Sequence, residues 1–180
     1  MKKLPTIQLE RLILRPFCLD DAKEVQALAG DKSVAEMTLT IPHPYEDGMA
    51  EQWIETHANH FNEDRALELA IVHKDDGYLI GAISLGINRK FEHAELGYWI
   101  GSKYRNHGYC TEAARGIIDY GFRDMQLNRI FALHLGKNPA SGKVMTKLGM
   151  KYEGKLRHHV KKWDHFEDLV YHGLLKDEYQ

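Results

Sequence analysis

Lys103-Tyr104-Arg105-Asn106-His107-Gly108-Tyr109-Cys110-Thr111 is the stretch that decides how this 180-residue chain folds. To its left, Glu92–Ile100 has alternating side chains. Glu95, Gly97 and Trp99 face one way, and Leu96, Tyr98 and Ile100 the other, which is the period of a strand. To its right, Ala114, Ile117, Ile118, Gly121, Phe122 and Met125 fall on one stripe at helical spacing. KYRNHGYCT is therefore the loop by which a strand enters a helix.

A loop of that kind gathers backbone N–H groups at a helix start. They lack partners within the helix, and the helix dipole favours negative charge beside them. Gly108 lets the backbone curl and approach a ligand closely. Arg105 and His107 add positive character. The residues forecast an anion site, with a diphosphate as its natural occupant. The loop is not a P-loop, which needs a second glycine followed by Lys and Ser or Thr. It is not a dinucleotide fingerprint either, because Gly108 is its one glycine and it lies in the middle of the chain.

Toward the N-terminus, Ala66–Val72 and Tyr78–Leu85 read as strands joined by the turn Asp75-Asp76-Gly77, a hairpin. Met49, Trp53, Ile54, His57 and Phe61 predict a helix over about 46–63, after the punctuation Pro42-His43-Pro44-Tyr45. Asp20 is the expected cap of a helix over about 21–29, with Val25, Leu28 and Ala29 on one face. Arg11–Phe17 reads as a strand stopped by Pro16. Toward the C-terminus, Arg129–Leu135 is a strand. Asn138-Pro139 opens a helix with Asn as cap and Pro in the first position, and Gly149 suits its C-terminal cap. Strands near 151–160 and 166–175 close the chain. No linker or repeat interrupts it, so residues 1–180 are expected to form one α/β domain.

Hydrophobic residues make up 43% of the chain and charged residues 28%, values that suit a folded globular protein. The formal net charge of −2 argues against nucleic acid as the main partner, since such domains carry a basic excess. No apolar run approaches the ~20 residues that cross a bilayer. The first residues lack the apolar core of a signal peptide, and Cys18 and Cys110 make no disulfide framework. These features read as a cytoplasmic protein with no membrane partner.

Arg105-x-x-Gly108-x-Cys110 resembles the [QR]-x-x-G-x-[GA] coenzyme A pyrophosphate loop of the GNAT acetyltransferase superfamily. Ala94-Glu95-Leu96-Gly97-Tyr98-Trp99-Ile100 is similar to the strand before that loop in the RimJ/RimL-like, ribosomal-protein N-acetyltransferase branch. Thr111-Glu112-Ala113 follows where that branch has it. Asn128-Arg129-Ile130, Asn138-Pro139-Ala140-Ser141 and Leu148–Gly154 extend the likeness, as does Glu10–Pro16 at the start. The resemblance covers nearly the whole chain. Its one departure is Cys110, where Gly or Ala is usual. A thiol at a helix start is either activated by the local field or a small residue that packs.

The resemblance implies a mixed, mostly antiparallel central sheet, splayed at the acetyl-CoA site and flanked by helices. It implies acetyl-CoA as cosubstrate and an amine acceptor, with a homodimer as one open assembly. By the same resemblance, backbone groups of Tyr98, Trp99 and Ile100 hold the pantetheine and supply an oxyanion donor. Arg105, with backbone N–H groups of Asn106, His107, Gly108, Tyr109, Cys110 and Thr111, holds the pyrophosphate. Asn138 contacts the pantetheine arm, and Ser141 is the candidate acid for the departing thiolate. Asn138 is equally an ordinary helix cap, and Ser141 a first-turn hydroxyl.

Amine acetylation needs a neutral nucleophile, yet a lysine-type amine has a pKa of about 10.4 and an α-amine about 8. Glu95 is the preferred base, His134 the second candidate, and water the third. The eleven histidines yield no convincing metal motif, because His57-x-x-His60 and His158-His159 lack supporting ligands, so no metal is expected. Trp53 and Phe61 read as core. Arg157–Lys162 reads as a solvated strand end that could steer an acidic acceptor or the 3′-phosphate of coenzyme A. The competing class is a coenzyme A sensor that kept the loop and lost catalysis. Asn138 and Ser141 favour the enzyme. The acceptor stays open between a protein N-terminus and a small amine.

Overall fold

The structure is a computed structural model and describes residues 2–179. Eight strands form one sheet: β1 Ile7–Gln8, β2 Leu12–Arg15, β3 Ala66–His73, β4 Leu79–Asn88, β5 His93–Ile100, β6 Arg129–Leu135, β7 Lys151–Lys162 and β8 His165–Leu175. Their spatial order is β1-β2-β3-β4-β5-β6-β8-β7. Five helices flank it: α1 Ala22–Ala29, α2 Lys32–Ala35, α3 Met49–Asn62, α4 Tyr109–Arg123 and α5 Pro139–Lys147. This is a single α/β domain. Every pairing is antiparallel except β5 with β6.

That exception positions the site. The parallel register of β5 and β6 runs from His93↔Arg129 to Leu96↔Ala132 and stops there. Beyond it, β5 stays with β4 as far as Ile100↔Gly81, while β6 stays with β8 as far as Leu135↔Leu169. The two strands diverge into a V, and Gly97–Ile100 keep an edge of backbone groups that no ladder consumes.

Each face of the sheet carries its own core. Ala94 and Leu96 of β5 join Ile117, Ile118 and Phe122 of α4 and Met145 of α5. On the other face Val25 of α1 and Ile54 of α3 pack over Ala70, Val72 and Leu79. Tyr98 and Ile100 lean on the first core and Trp99 on the second, as the alternation along β5 dictates. Burying each large side chain stabilises the fold by about 1.5–3 kcal/mol, so this two-sided burial fixes the register of β5.

Three elements depart from the expectations. Asp20 does not cap α1. A 3-10 turn over Leu19–Asp21 leads into the helix, and Asp21 spends its carboxylate on Arg15, at 2.8 Å for each oxygen. β1 pairs through two residues, too few for a period-2 pattern to register. α2 spans four residues, started by Asp31, whose side chain accepts from Ser33 N.

Candidate active site

The KYRNHGYCT loop stands at one lip of the V. Gly108, at φ +79°, is the residue before α4, and Asn106 also takes positive φ, at 66°. The first helical hydrogen bond runs from Glu112 N–H to the Gly108 carbonyl at 3.1 Å. The N–H groups of Tyr109, Cys110 and Thr111 precede it, and no side chain caps them. Arg105 is exposed and donates from Nη2 to the Ser33 carbonyl at 2.8 Å. His107 is exposed as well, with Nδ1 at 2.8 Å from the Arg105 carbonyl.

Sequence reasoning missed the residue that fastens this loop. Arg11 of β2 donates through Nη1 to the His107 carbonyl at 3.0 Å. Its Nε and backbone N–H both reach the Glu112 carboxylate, each at 2.8 Å. Its guanidinium also lies 4.9 Å from the centre of the Tyr109 ring, which stacks on His107. Nothing local marks Arg11, because its partners lie about a hundred positions away. A groove leads from Gly108 past Thr111 and Arg115 to Lys147.

Asn138 and Ser141 form the opposite lip. Asn138 Oδ1 accepts from Ser141 N–H at 3.2 Å, so the cap is real, and its Nδ2 donates to the Met37 carbonyl at 3.3 Å. Ser141 Oγ lies 2.7 Å from the Tyr98 hydroxyl. Burial, with the Cys110 sulfur close by, pushes the Tyr98 phenol well above its ordinary range, so it stays protonated. The V therefore closes on a pair of hydroxyl groups, from β5 and from α5. Tyr98, foreseen only for its backbone, contributes its side chain.

Cys110 lies on the same side. The residue keeps some exposure, but the thiol is packed, and burial pushes it up to about 12. Burial disfavours the thiolate, which suits a small packing residue at this helix start.

The candidate bases separate. Glu95 sits on the opposite face from Ser141, one residue before the strands part, and is exposed. Partial burial raises its pKa. His134 is on the α5 face, pressed against the backbone of Gly142, where an added Cβ would stand 2.9 Å from its Nε2. Its Nδ1 lies 2.8 Å from the Leu135 carbonyl, so His134 is a packed strand residue.

Other flagged residues fall into structural places. Phe61 is core. Trp53 and Phe17 enclose His57, whose pKa burial lowers to about 4. His60 Nδ1 meets the buried Glu68 at 2.9 Å. His158 and His159 are exposed. Of the basic stretch at the end of β7, Lys162 turns inward and donates to the Ile41 carbonyl at 3.0 Å, while Arg157 and Lys161 stay in solvent. None of that stretch lines the groove along α4.

A splayed parallel pair, an anion-ready helix start on one lip and a capped helix with a hydroxyl on the other define an acyl-carrier cleft. The sequence pattern described as the Acetyltransferase (GNAT) domain matches residues 11–151, and the chain belongs to that family; it is an acetyltransferase. It is similar to the uncharacterized N-acetyltransferase YnaD of Bacillus subtilis, 32% identical over 176 residues that cover 96% of this chain and 98% of that one. It also resembles the putative ribosomal N-acetyltransferase YdaF of the same organism, 38% identical over 109 residues that cover 58% of each chain. Among solved structures, a GNAT-family acetyltransferase from Bacillus anthracis superposes with a TM-score of 0.86 at 25% identity, covering 96% of this chain and 99% of that one.

No helix among the described residues is long and apolar enough to cross a membrane.

Proposed function

We propose that this chain, as one N-acetyltransferase domain, moves an acetyl group from acetyl-CoA to a primary amine by direct attack within a ternary complex. The observation that carries the reading is the V between β5 and β6, with an open helix start on one lip and the Tyr98–Ser141 hydroxyl pair on the other. Acetyl-CoA supplies an activated acyl group as a thioester.

The residues fit that donor. Free N–H groups at the start of α4 suit its pyrophosphate, and Arg115 and Lys147 offer cations along the adjoining groove for its nucleotide end. The unladdered edge of Gly97–Ile100 can pair with an amide-bearing arm and donate to a developing oxyanion. Ser141 Oγ donates a proton to the departing sulfur and recovers one from solvent water, while Tyr98, held protonated, hydrogen-bonds to Ser141 Oγ and orients it. Glu95 faces the α1 and α3 side, from which the amine approaches, and takes up the ammonium proton. Its raised pKa moves it toward useful basicity.

The likeness to YdaF, named a putative ribosomal N-acetyltransferase, supports a ribosomal-protein amine as acceptor, and small amines are the competing acceptors, as the name of a relative called a spermidine N(1)-acetyltransferase suggests. The test is thiol release from acetyl-CoA across spermidine and peptides beginning with serine or alanine. Turnover is expected, and Glu95→Gln should lower it by about 10- to 100-fold near neutral pH while losing less at high pH, where the amine is already neutral. Tight coenzyme A binding with no turnover on any amine would contradict the enzyme reading. An unchanged pH profile in Glu95→Gln would remove Glu95 from the mechanism.

A further inference from the structure

The loop that opens α4 stands on the tip of the β3–β4 hairpin. A 3-10 turn over Ser102–Tyr104 ends at Tyr104, and α4 begins at Tyr109, so residues 105–108 bridge two tyrosines. Both tyrosines rest on the hairpin. The Tyr104 ring stacks on Tyr78 at 5.1 Å and 8°, and Tyr78 stacks on His73 at 4.8 Å and 12°. Tyr109 meets the His73 ring edge-on at 6.0 Å. The Lys103 ammonium sits 4.8 Å from the centre of the Tyr104 ring. Stacked and edge-on rings at such separations attract beyond the area they bury.

The tip is itself held firmly. His73 N–H donates to the Tyr78 carbonyl and Gly77 N–H to the His73 carbonyl, each at 3.0 Å, and Gly77 takes φ +73° to close the turn. His73 Nδ1 lies 3.0 Å from the Asp76 carboxylate, which fixes the plane of the imidazole. Lys74 N–H donates to the Arg11 carbonyl at 2.9 Å, and the side chain of the same Arg11 grips the His107 carbonyl and Glu112. One turn therefore bears on both feet of the loop and on its outer fastening. Tyr78 is the middle ring of the ladder. Its interaction with the Tyr109 hydroxyl pushes the Tyr78 phenol up to about 12, so it stays neutral beside an anion site.

We infer that the hairpin tip is a pedestal that preorganises this loop for a pyrophosphate, with Tyr78 as its positioning residue. Tyr78 touches no reacting atom. By fixing Tyr104 and Tyr109 it aims the free N–H groups at the start of α4 before the donor arrives. A loop ordered in advance removes an ordering cost from binding. The effect belongs to donor affinity and not to acyl transfer, because Ser141 is set by the Asn138 cap and Gly97–Ile100 by β4. The inference rests on the acetyl-transfer reading for the identity of the anion.

Calorimetric titration of the full chain with coenzyme A tests this, followed by steady-state kinetics with acetyl-CoA and an amine that turns over. Tyr78→Ala should weaken coenzyme A binding by about 3- to 15-fold, the worth of one or two aromatic contacts. The KM for acetyl-CoA should rise by the same factor, while kcat and the KM for the amine stay within about twofold. Tyr78→Phe keeps the ring and should return the affinity to within about twofold of the parent. Tyr104→Leu removes an outer ring without touching the hairpin, and should shift affinity the same way even where Tyr78→Ala destabilises the fold. Unaltered affinity in Tyr78→Ala and Tyr104→Leu, a Tyr78→Phe chain as weak as Tyr78→Ala, or equal rises in both KM values would overturn the pedestal and leave the acetyltransferase reading intact. A parent chain that binds no coenzyme A overturns both.

Discussion

At the scale of single residues, the cleft turns on Ser141 and Tyr98. Their hydroxyls meet at 2.7 Å, Ser141 from the first turn of α5 and Tyr98 from β5. Ser141→Ala should lower kcat by about 10- to 100-fold and leave the KM for acetyl-CoA within about twofold, because a proton donor acts in the transition state. Tyr98→Phe should cost less, since Tyr98 acts through Ser141. Steady-state kinetics on one amine checks both, and a Ser141→Ala enzyme with unchanged kcat would remove Ser141 from the chemistry. The Asn138 cap was legible in the sequence because Asn followed by Pro is a local signal, whereas Ser141 as acid came from the family resemblance and Glu95 as base from its place on the strand leading to the cleft, and both roles are proposals. The Tyr98 hydroxyl was not legible, because its partner is 43 positions away. Whether the Cys110 thiol is activated or packed was not legible either. That depends on burial, which a helix-start position does not reveal.

At the scale of elements, the sequence was most readable where a local signal sets the boundary. β6 falls over Arg129–Leu135 and α5 begins at Pro139 after its Asn138 cap, both as expected. Patterns weaker than one period escaped, namely β1 and α2. So did long-range ties. The loop before α4 owes its shape to Arg11, which bridges the His107 carbonyl and the Glu112 carboxylate. Glu112 in the first turn also suits the helix dipole. Arg11→Ala should therefore loosen the loop and weaken coenzyme A binding by about 5- to 20-fold, with kcat at saturating donor little changed. Calorimetric titration with coenzyme A is the check, and unaltered affinity would show that the loop holds itself.

At the scale of the whole molecule, one sheet with a core on each face carries a buried, neutral histidine. His57 is 3% exposed, and neither ring nitrogen has a partner among the described residues. Its pKa is lowered to about 4, below the unfolded value, so protonation favours the unfolded chain. Its contribution is full above the unfolded pKa of about 6.5 and declines as the pH falls toward 4, reaching a loss of about 2 kcal/mol near pH 5. Denaturant unfolding should show His57→Leu losing less stability than the parent between neutral pH and about pH 5. Equal losses would place the acid sensitivity elsewhere.

The same whole-molecule geometry makes the divergence of β5 from β6 the proposed seat of the acyl donor. A crystal structure with bound acetyl-CoA tests it most directly. The pyrophosphate is expected on the N–H groups that open α4, the pantetheine along Gly97–Ile100, and the thioester sulfur within hydrogen-bonding reach of Ser141 Oγ. A donor bound with its sulfur away from the V, or with the start of α4 left in solvent, would contradict it.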